Sequence, residues 1–112
     1  MEARSVARFV RTGPRKVRRY ADLIRGRSLA DARGILAVQS SPAAGLLAKV
    51  LNSAAANAEN NFGLDTESLS VETTFVDQAV SIPRVRYRAR GRVDRIRKPS
   101  CHITVVLSDG EE

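Results

Sequence analysis

The 112-residue chain has the length of a single domain, carries a net charge of +7 and contains one cysteine. One cysteine excludes an intramolecular disulfide, which suits a reducing compartment such as the cytoplasm. No apolar run approaches the ~18 residues of a membrane-spanning helix. So high a positive charge on so small a domain is typical of proteins that bind nucleic acid.

The positive charge lies in two blocks. Residues 1–33 contain ten basic and three acidic side chains, and residues 84–98 contain eight basic side chains and one acidic side chain. The first block has an Arg-rich start similar to that of a mitochondrial targeting peptide, but it contains Glu2, has few serines and continues directly into a helix signal. We therefore expect it to belong to the folded domain.

The first third of the chain predicts a strand followed by a helix. Residues 3–11 are rich in Val, Phe and Arg and end at a Thr-Gly-Pro sequence, as is typical of an edge strand. Pro14 fits the first turn of a helix, and the apolar residues that follow recur at the spacing of one helical face. Gly26 is the expected end of this helix.

Two further helices are predicted from their capping residues. Ser28 is placed to cap a short helix, and Ser41 precedes Pro42 at the start of a longer one. The longer helix has the longest apolar stripe in the chain and should end at Phe62, with Gly63 in the left-handed conformation. Its many alanines favour close packing against a sheet or another helix.

Two alternating segments predict half-buried strands in the second half of the chain. The positions on one face of each segment are Leu69, Val71, Thr73 and Phe75 within residues 69–77, and Ile103, Val105 and Leu107 near the C-terminus. Residues 78–104 should form one long β-hairpin that turns near Gly91 and reaches ~40 Å from base to tip. The sequence therefore predicts an α+β fold in one domain: three helices packed on a small antiparallel sheet (a globular body of residues 1–79 and 103–112), with a protruding hairpin at about 78–104.

The predicted hairpin has an alternating arginine pattern. Its first five basic residues are Arg84, Arg86, Arg88, Arg90 and Arg92. On an extended backbone, side chains at every second position point to one face. Asp94 is the one acidic residue in the run, so we expect a polyanion from outside to supply the counter-charge. A two-stranded ribbon of this length is marginally stable alone in water, and we expect the polyanion to order it.

Catalysis and metal binding find little support. Cys101 and His102 are neighbours on a predicted strand, where consecutive side chains point to opposite faces, so they cannot form a thiol–base pair. A buried cysteine beside a hydrogen-bonded histidine is the expected arrangement. One Cys and one His cannot complete a metal site, and Asp65, Glu67 and Glu72 are interpreted as surface charge. We therefore predict no enzyme, no metal and no cofactor.

The kind of nucleic acid is predicted from the signals that are missing. The chain has no recognition-helix or zinc-finger signature, and we expect Tyr20, Phe62 and Phe75 in the core, which leaves no platform for unpaired bases. Recognition of a folded RNA by its shape and phosphates is therefore expected. The candidate RNA-binding residues are Arg8, Arg11, Arg15, Lys16, Arg18 and Arg19 in the first block, and Arg84, Arg86, Arg88, Arg90, Arg92, Arg95, Arg97 and Lys98 in the second.

Four ordered motifs cover nearly the whole chain. They are RTGPRKVR at 11–18, ADLIRG at 21–26, NSAAANAE at 52–59, and RARGRVDRI at 88–96 followed by HITVV at 102–106. This order closely resembles the family of bacterial large-subunit ribosomal protein twenty-two. The chain departs from the usual pattern at Tyr87, where proline is common, at Val93, where alanine is common, and at residues 99–101.

The resemblance implies a structural constituent of the large ribosomal subunit that binds 23S ribosomal RNA, supports subunit assembly and lines the nascent-peptide exit tunnel with its hairpin. The implied partners are this RNA, neighbouring large-subunit proteins and the nascent peptide, in the cytoplasmic ribosome, with no membrane and no homo-oligomer expected. The residues alone leave open a free-standing nucleic-acid-binding or RNA-chaperone module that uses the arginine ribbon on many targets.

Overall fold

The computed structural model describes residues 2–79, 82–87 and 93–109. In chain order its elements are β1 (Glu2–Val10), α1 (Pro14–Ile24), α2 (Leu29–Ala37), α3 (Pro42–Phe62), a short 3-10 turn (Thr66–Ser68), β2 (Ser70–Gln78), β3 (Ile82–Tyr87), β4 (Val93–Lys98) and β5 (Cys101–Ser108). Strands β1, β5 and β2 form an antiparallel sheet in that order, and β3 and β4 form a separate two-stranded ladder. The predicted α+β fold is confirmed.

The two-stranded ladder connects the last two strands of the sheet. It runs from Ile82 opposite Lys98 to Tyr87 opposite Val93. Between this ladder and the three-stranded sheet, the Ala79 N–H donates a hydrogen bond of 3.0 Å to the Ser100 carbonyl, next to the pairing of Gln78 with Cys101. The turn that the sequence predicts near Gly91 lies outside the described residues.

Helices α2 and α3 begin, and α3 ends, where the capping residues predict, whereas α1 ends at Ile24, two residues before the expected Gly26. The Ser28 hydroxyl accepts a hydrogen bond from the Asp31 N–H at the start of α2, and the Ser41 hydroxyl accepts one from the Ala43 N–H at the start of α3. These contacts satisfy amide groups that have no partner within the helix. Gly63 ends α3 with φ +65°, a conformation that glycine adopts without steric cost.

The core lies between the helices and one face of the sheet. The central strand β5 contributes Ile103, Val105 and Leu107, which are fully buried, and α3 packs on β1 and β5 while α1 packs on β2. Ala54 and Ala58 of α3 are fully buried too. Such small side chains bring the helix backbone close to the strands, which confirms the packing predicted from the alanines.

A β-bulge in β2 changes which side chains face the core. Val71 pairs with Leu107 but Thr73 pairs with Val106, so one extra residue lies between these pairs. Beyond the bulge, Thr74 and Val76 are buried, whereas the sequence alternation predicted Thr73 and Phe75. One inserted residue exchanges the two faces of a strand, and a strict period of two does not reveal it.

The aromatic side chains expected in the core are not fully buried there. Phe75 is 39% exposed because the β2 bulge turns it to the opposite face of the sheet. Phe62 is 47% exposed at the last residue of α3. Tyr20 is half-buried against the edge of the core. The core assignment of Phe62 and Phe75 was therefore wrong.

The outer edge of β2 is covered by the segment that joins α1 to α2. The Gly26 N–H donates to the Val71 carbonyl at 2.9 Å, and the Val71 N–H donates to the Arg27 carbonyl at 2.8 Å. Ser28 extends this contact as an isolated bridge to Ser70. An exposed strand edge presents unpaired amide and carbonyl groups, and this segment pairs those at the start of β2.

Farther along the same edge, the hydrogen-bond donors to β2 are two arginine side chains of the α1 region instead of backbone amides. Arg18 donates from both Nε and Nη2 to the Val76 carbonyl, at 3.0 and 2.8 Å. Arg25 donates from Nη2 to the Thr74 carbonyl at 2.7 Å. Hydrogen bonds from a charged donor are stronger than neutral ones, so these contacts fasten α1 to the sheet.

Replacing Arg18 with Ala should lower the free energy of unfolding by about 1–3 kcal/mol, because the Val76 carbonyl loses both donors. Urea unfolding followed by circular dichroism measures this change. Arg19→Ala is the matched control, since Arg19 is an exposed neighbour on the same helix, and its effect should stay within about 0.5 kcal/mol. Equal stabilities for the two variants would contradict the assigned contact.

Candidate nucleic-acid interface

The predicted RNA-binding residues of the first basic block lie at or near the start of α1, apart from Arg8. On α1, Val17, Ala21 and Ile24 are buried against the sheet, so the residues between them face outward. The predicted RNA-binding residues of this block are all exposed: Arg8 on β1, Arg11 after it, and Arg15, Lys16, Arg18 and Arg19 on α1. Arg11 and the four α1 cations therefore lie at and beside the start of the helix, whereas Arg8 lies on the face of the sheet that is turned away from the helices.

The start of α1 adds to the positive charge of this surface. Its N-cap is Gly13, which has no side chain to accept from the first amide groups, and the first turn contains no acidic residue. Free amide groups and the positive end of the helix dipole attract phosphate oxygens. Among the residues that the structure describes, no hydrogen bond or ion pair engages the side chains of Arg11, Arg15, Lys16 or Arg19.

Arg18 differs from its neighbours on α1. Its guanidinium is held against the Val76 carbonyl, so the structure gives it a contact inside the domain. Arg25 was not predicted as a site residue, and it makes the corresponding contact to Thr74 as well as an exposed ion pair with Asp22. Both arginines illustrate that charge counting along a sequence does not separate solvent-facing cations from cations that bind the protein's own backbone.

The second basic block lies on the β3–β4 ladder and beyond it. In the ladder, Arg84 is opposite Ile96 and Arg86 is opposite Asp94, whereas Arg95 is opposite Val85. Arg97 and Lys98 are opposite Pro83 and Ile82. Directly opposed positions share a face, so the basic positions of the two strands are distributed over both faces of the ladder. Arg88, Arg90 and Arg92 lie outside the described residues.

Cys101 and His102 lie on opposite faces of β5, as predicted. Cys101 is fully buried on the core face, and burial raises the pKa of its thiol. His102 is half-buried on the other face, where its Nδ1 accepts a 3.1 Å hydrogen bond from the Phe9 N–H. Within residues 2–79, 82–87 and 93–109, no group of three His, Cys, Asp or Glu side chains is arranged to hold a metal ion.

The sequence reasoning missed the sheet face that is turned away from the helices. Phe9 is 64% exposed there, and its ring meets the His102 ring edge-on at a centroid distance of 4.8 Å. Phe75 and Val6 are also exposed on this face. The alternation of Arg4, Val6 and Arg8 along β1 could have indicated the surface, but the position of Phe75 could not be predicted without the β2 bulge.

The sequence of this chain was compared with known protein families and curated proteins. A family model described as ribosomal protein L22p/L17e matches residues 5–108. The chain belongs to the ribosomal protein L22p/L17e family. The same family resemblance was indicated by the four sequence motifs, and it is confirmed.

Curated members of the L22p/L17e family match along the entire chain. Proteins named large ribosomal subunit protein uL22 are 49% identical over 112 residues in Pelotomaculum thermopropionicum and 47% identical over 111 residues in Desulfitobacterium hafniense. These alignments cover 100% and 99% of this chain, and 99% and 97% of the relatives. The Thermus thermophilus protein of that name is 50% identical over 109 residues, covering 97% of this chain and 96% of its own.

L22p/L17e proteins are structural ribosomal proteins rather than enzymes, so the prediction of a non-catalytic chain is confirmed. The Cys101–His102 geometry is consistent with this result, because the two side chains cannot act together. In the portion of the chain that the structure describes, no helix has the length and apolar character needed to cross a bilayer.

Cys101 should resist thiol reagents in the folded protein, because it is fully buried and its thiol pKa is raised, which keeps it protonated. At pH 8, the reaction of the native protein with Ellman's reagent should be at least about a hundredfold slower than that of the urea-unfolded chain. Absorbance at the wavelength of the released thiolate follows both rates. Rapid modification without unfolding would contradict the assigned burial.

Proposed function

We propose that this chain is a structural component of the large ribosomal subunit that binds 23S ribosomal RNA, supports assembly of the subunit and lines the nascent-peptide exit tunnel with its hairpin. The observation that carries the proposal is the surface at the start of α1, where exposed cations have no partner among the described residues. A phosphate backbone would supply the counter-charge that the described part of the chain lacks there. Membership of the L22p/L17e family supports the same conclusion.

The geometry at α1 suits phosphates rather than base edges. Arg15, Lys16 and Arg19 surround a helix end whose amide groups are free, and arginine can fork onto two phosphate oxygens. Contacts of this kind position a protein on RNA without reading its sequence. Arg18 we propose as a positioning residue, because its bond to Val76 holds the helix that presents the other cations.

The β3–β4 ladder is the second proposed RNA contact. Its proposed RNA-binding residues are Arg84, Arg86, Arg95, Arg97 and Lys98, together with Arg88, Arg90 and Arg92 outside the described residues. Basic positions on both faces of the ladder suit a ribbon that passes between RNA segments, because each face then meets phosphates. A wall of the exit tunnel is such a location, and the nascent peptide would pass along it.

The remaining partners follow from the same proposal. Neighbouring large-subunit proteins and the nascent peptide are the proposed protein contacts, and the cytoplasmic ribosome is the proposed location. Relatives at 47–50% identity have names that place them in the large ribosomal subunit, which supports this location. No cofactor takes part, since the proposed role is to bind and shape RNA.

Replacing Arg15, Lys16 and Arg19 together with Ala should weaken binding to 23S ribosomal RNA, because three phosphate contacts are lost at the start of α1. With about eight phosphates neutralised, log affinity of the native protein should fall against log salt with a slope of about −6 to −7. The variant should reduce the steepness of this slope by about 2 to 3. Filter binding at several salt concentrations measures both slopes.

The control for this experiment removes the same charge elsewhere. Arg27, Arg33 and Lys49 are exposed and lie away from the start of α1, so their joint replacement with Ala should leave most of the slope intact. An equal loss in both triple variants would indicate a response to net charge alone, as expected of the free-standing nucleic-acid-binding or RNA-chaperone module. Failure of the tagged native protein to sediment with large subunits would refute the ribosomal proposal.

Replacing Arg84, Arg86, Arg95 and Arg97 with Ala should preserve the folded core, because the β3–β4 ladder is separate from the three-stranded sheet. The midpoint of thermal unfolding should therefore change by less than about 3 °C, which corresponds to a surface substitution effect of about 0.5 kcal/mol. Association with large subunits should weaken in a gradient at raised salt. Loss of the cooperative unfolding transition would contradict the independence of ladder and core.

A further inference from the structure

The face of the sheet opposite the helices contains a shallow cavity that the proposed phosphate contacts do not explain. We call this surface the open face. It has a cavity volume of about 290 Å³ and is lined by Arg4, Val6, Arg8, Phe9, Phe75, Asp77, His102 and Thr104. This volume lies near the lower end of the ~300–1,000 Å³ range of ligand pockets, so it suits one small planar group rather than a long ligand.

The strand register orders these residues in rows across the open face. Thr104 of β5 lies between Val6 of β1 and Phe75 of β2, because it pairs with both. In the next row, His102 pairs with Asp77. The apolar centre of the open face is therefore flanked by β1 on one side and by the carboxylate of Asp77 on the other.

A strained bulge in β1 places Phe9 on this face. Ala7 pairs with Ile103 and Val10 pairs with Cys101, so Arg8 and Phe9 together lie opposite a single residue of β5. Phe9 has φ +55°, which is unusual for a residue with a large side chain. Strain of this kind persists only where surrounding contacts hold it, and it is concentrated at functional positions.

The charge of the open face selects the class of ligand. Two exposed phenylalanine rings alone would suit an apolar protein partner, but Arg4 and Arg8 are exposed on the same strand and make no side-chain hydrogen bond or ion pair among the described residues. Aromatic rings beside unpaired guanidinium groups are the arrangement that stacks an unpaired base and holds its phosphates.

The position of Asp77 sets the orientation of such a nucleotide. Asp77 is exposed on β2, across the sheet from Arg4 and Arg8. A carboxylate repels phosphate but accepts hydrogen bonds from the amino group of a base. The phosphates therefore belong on the β1 side, and the hydrogen-bonding edge of the base belongs on the β2 side.

We propose that the open face binds one unpaired nucleotide of ribosomal RNA, with its base stacked on Phe9 beside Phe75, its phosphates at Arg4 and Arg8, and an amino group of the base donating to Asp77. Guanine, adenine and cytosine carry such an amino group and uracil does not. This inference rests on the proposed function, since it names a second kind of RNA contact for the same protein. It adds recognition of a base to the phosphate contacts of α1.

Phe9→Gly tests the proposal without endangering the fold. Glycine removes the ring but adopts positive φ readily, so the variant should fold at least as well as the native protein. Phe62→Ala is the matched control, because Phe62 is an exposed phenylalanine at the end of α3 and does not line the open face. Loss of one base stack corresponds to a ~5- to 150-fold loss of affinity for that nucleotide.

The measurement is chemical probing of base edges in large subunits that contain either the native protein or one of the two variants. With Phe9→Gly, one base that is protected in native particles should become several-fold more reactive to dimethyl sulfate, and with Phe62→Ala the pattern should stay native. Unchanged reactivity with Phe9→Gly would overturn the proposal, as would loss of a cross-link to a neighbouring protein without any change in the RNA.

Sedimentation separates this proposal from the proposed function. Phe9→Gly should still travel with large subunits, because the phosphate contacts of α1 and the ladder are intact. Native protein that enters large subunits and protects no base near the open face would refute the nucleotide site alone. Native protein that does not enter large subunits would refute the ribosomal role itself.

Discussion

The hydrogen bonds along the outer edge of β2 are the constraint on which the arrangement of this domain depends. Backbone groups of the α1–α2 connection pair with Val71, and Arg18 and Arg25 supply donors to the carbonyls of Val76 and Thr74. Together they close a strand edge that would otherwise be open to pairing with another chain. They also fix the orientation of α1 on the sheet, and with it the direction in which Arg15, Lys16 and Arg19 point.

The arginines of the first block consequently have two different tasks. The guanidinium groups of Arg18 and Arg25 donate hydrogen bonds to carbonyls of the protein itself. Their contacts stabilise the support on which the remaining cations stand. The other cations at the start of α1 repel each other in the free protein, because they carry like charges close together. Contacts that hold the helix in place offset this repulsion until a polyanion binds.

The two faces of the sheet differ for a related reason. The helices cover one face with small and branched apolar side chains, so that face provides the stability of the domain. On the other face, the bulges of β1 and β2 turn Phe9 and Phe75 outward, where they cannot contribute to the core. Exposed aromatic rings on a small domain are a cost to folding, and the neighbouring Arg4 and Arg8 give that face a chemistry suited to RNA.

The helices could be predicted because their signals are local. Ser28, Ser41 and Gly63 act on amide and carbonyl groups within a few residues of themselves, so the printed order of residues is sufficient to locate these three helix ends. The same holds for Cys101 and His102, whose separation follows from the alternation of a strand. The family motifs belong to this category as well, since they depend on the order of residues alone.

The sequence by itself determined the α+β class, the helix limits, the two basic blocks and the absence of a catalytic pair. Only the tertiary structure decided that Arg18 binds Val76, that Thr74 and Val76 replace Thr73 and Phe75 in the core, and that Phe9 and Phe75 share the open face. The physical reason is that a bulge exists only between paired strands, and a carbonyl becomes available to an arginine only where a sheet ends. Both depend on contacts between residues tens of positions apart, which the alternation within one strand does not contain.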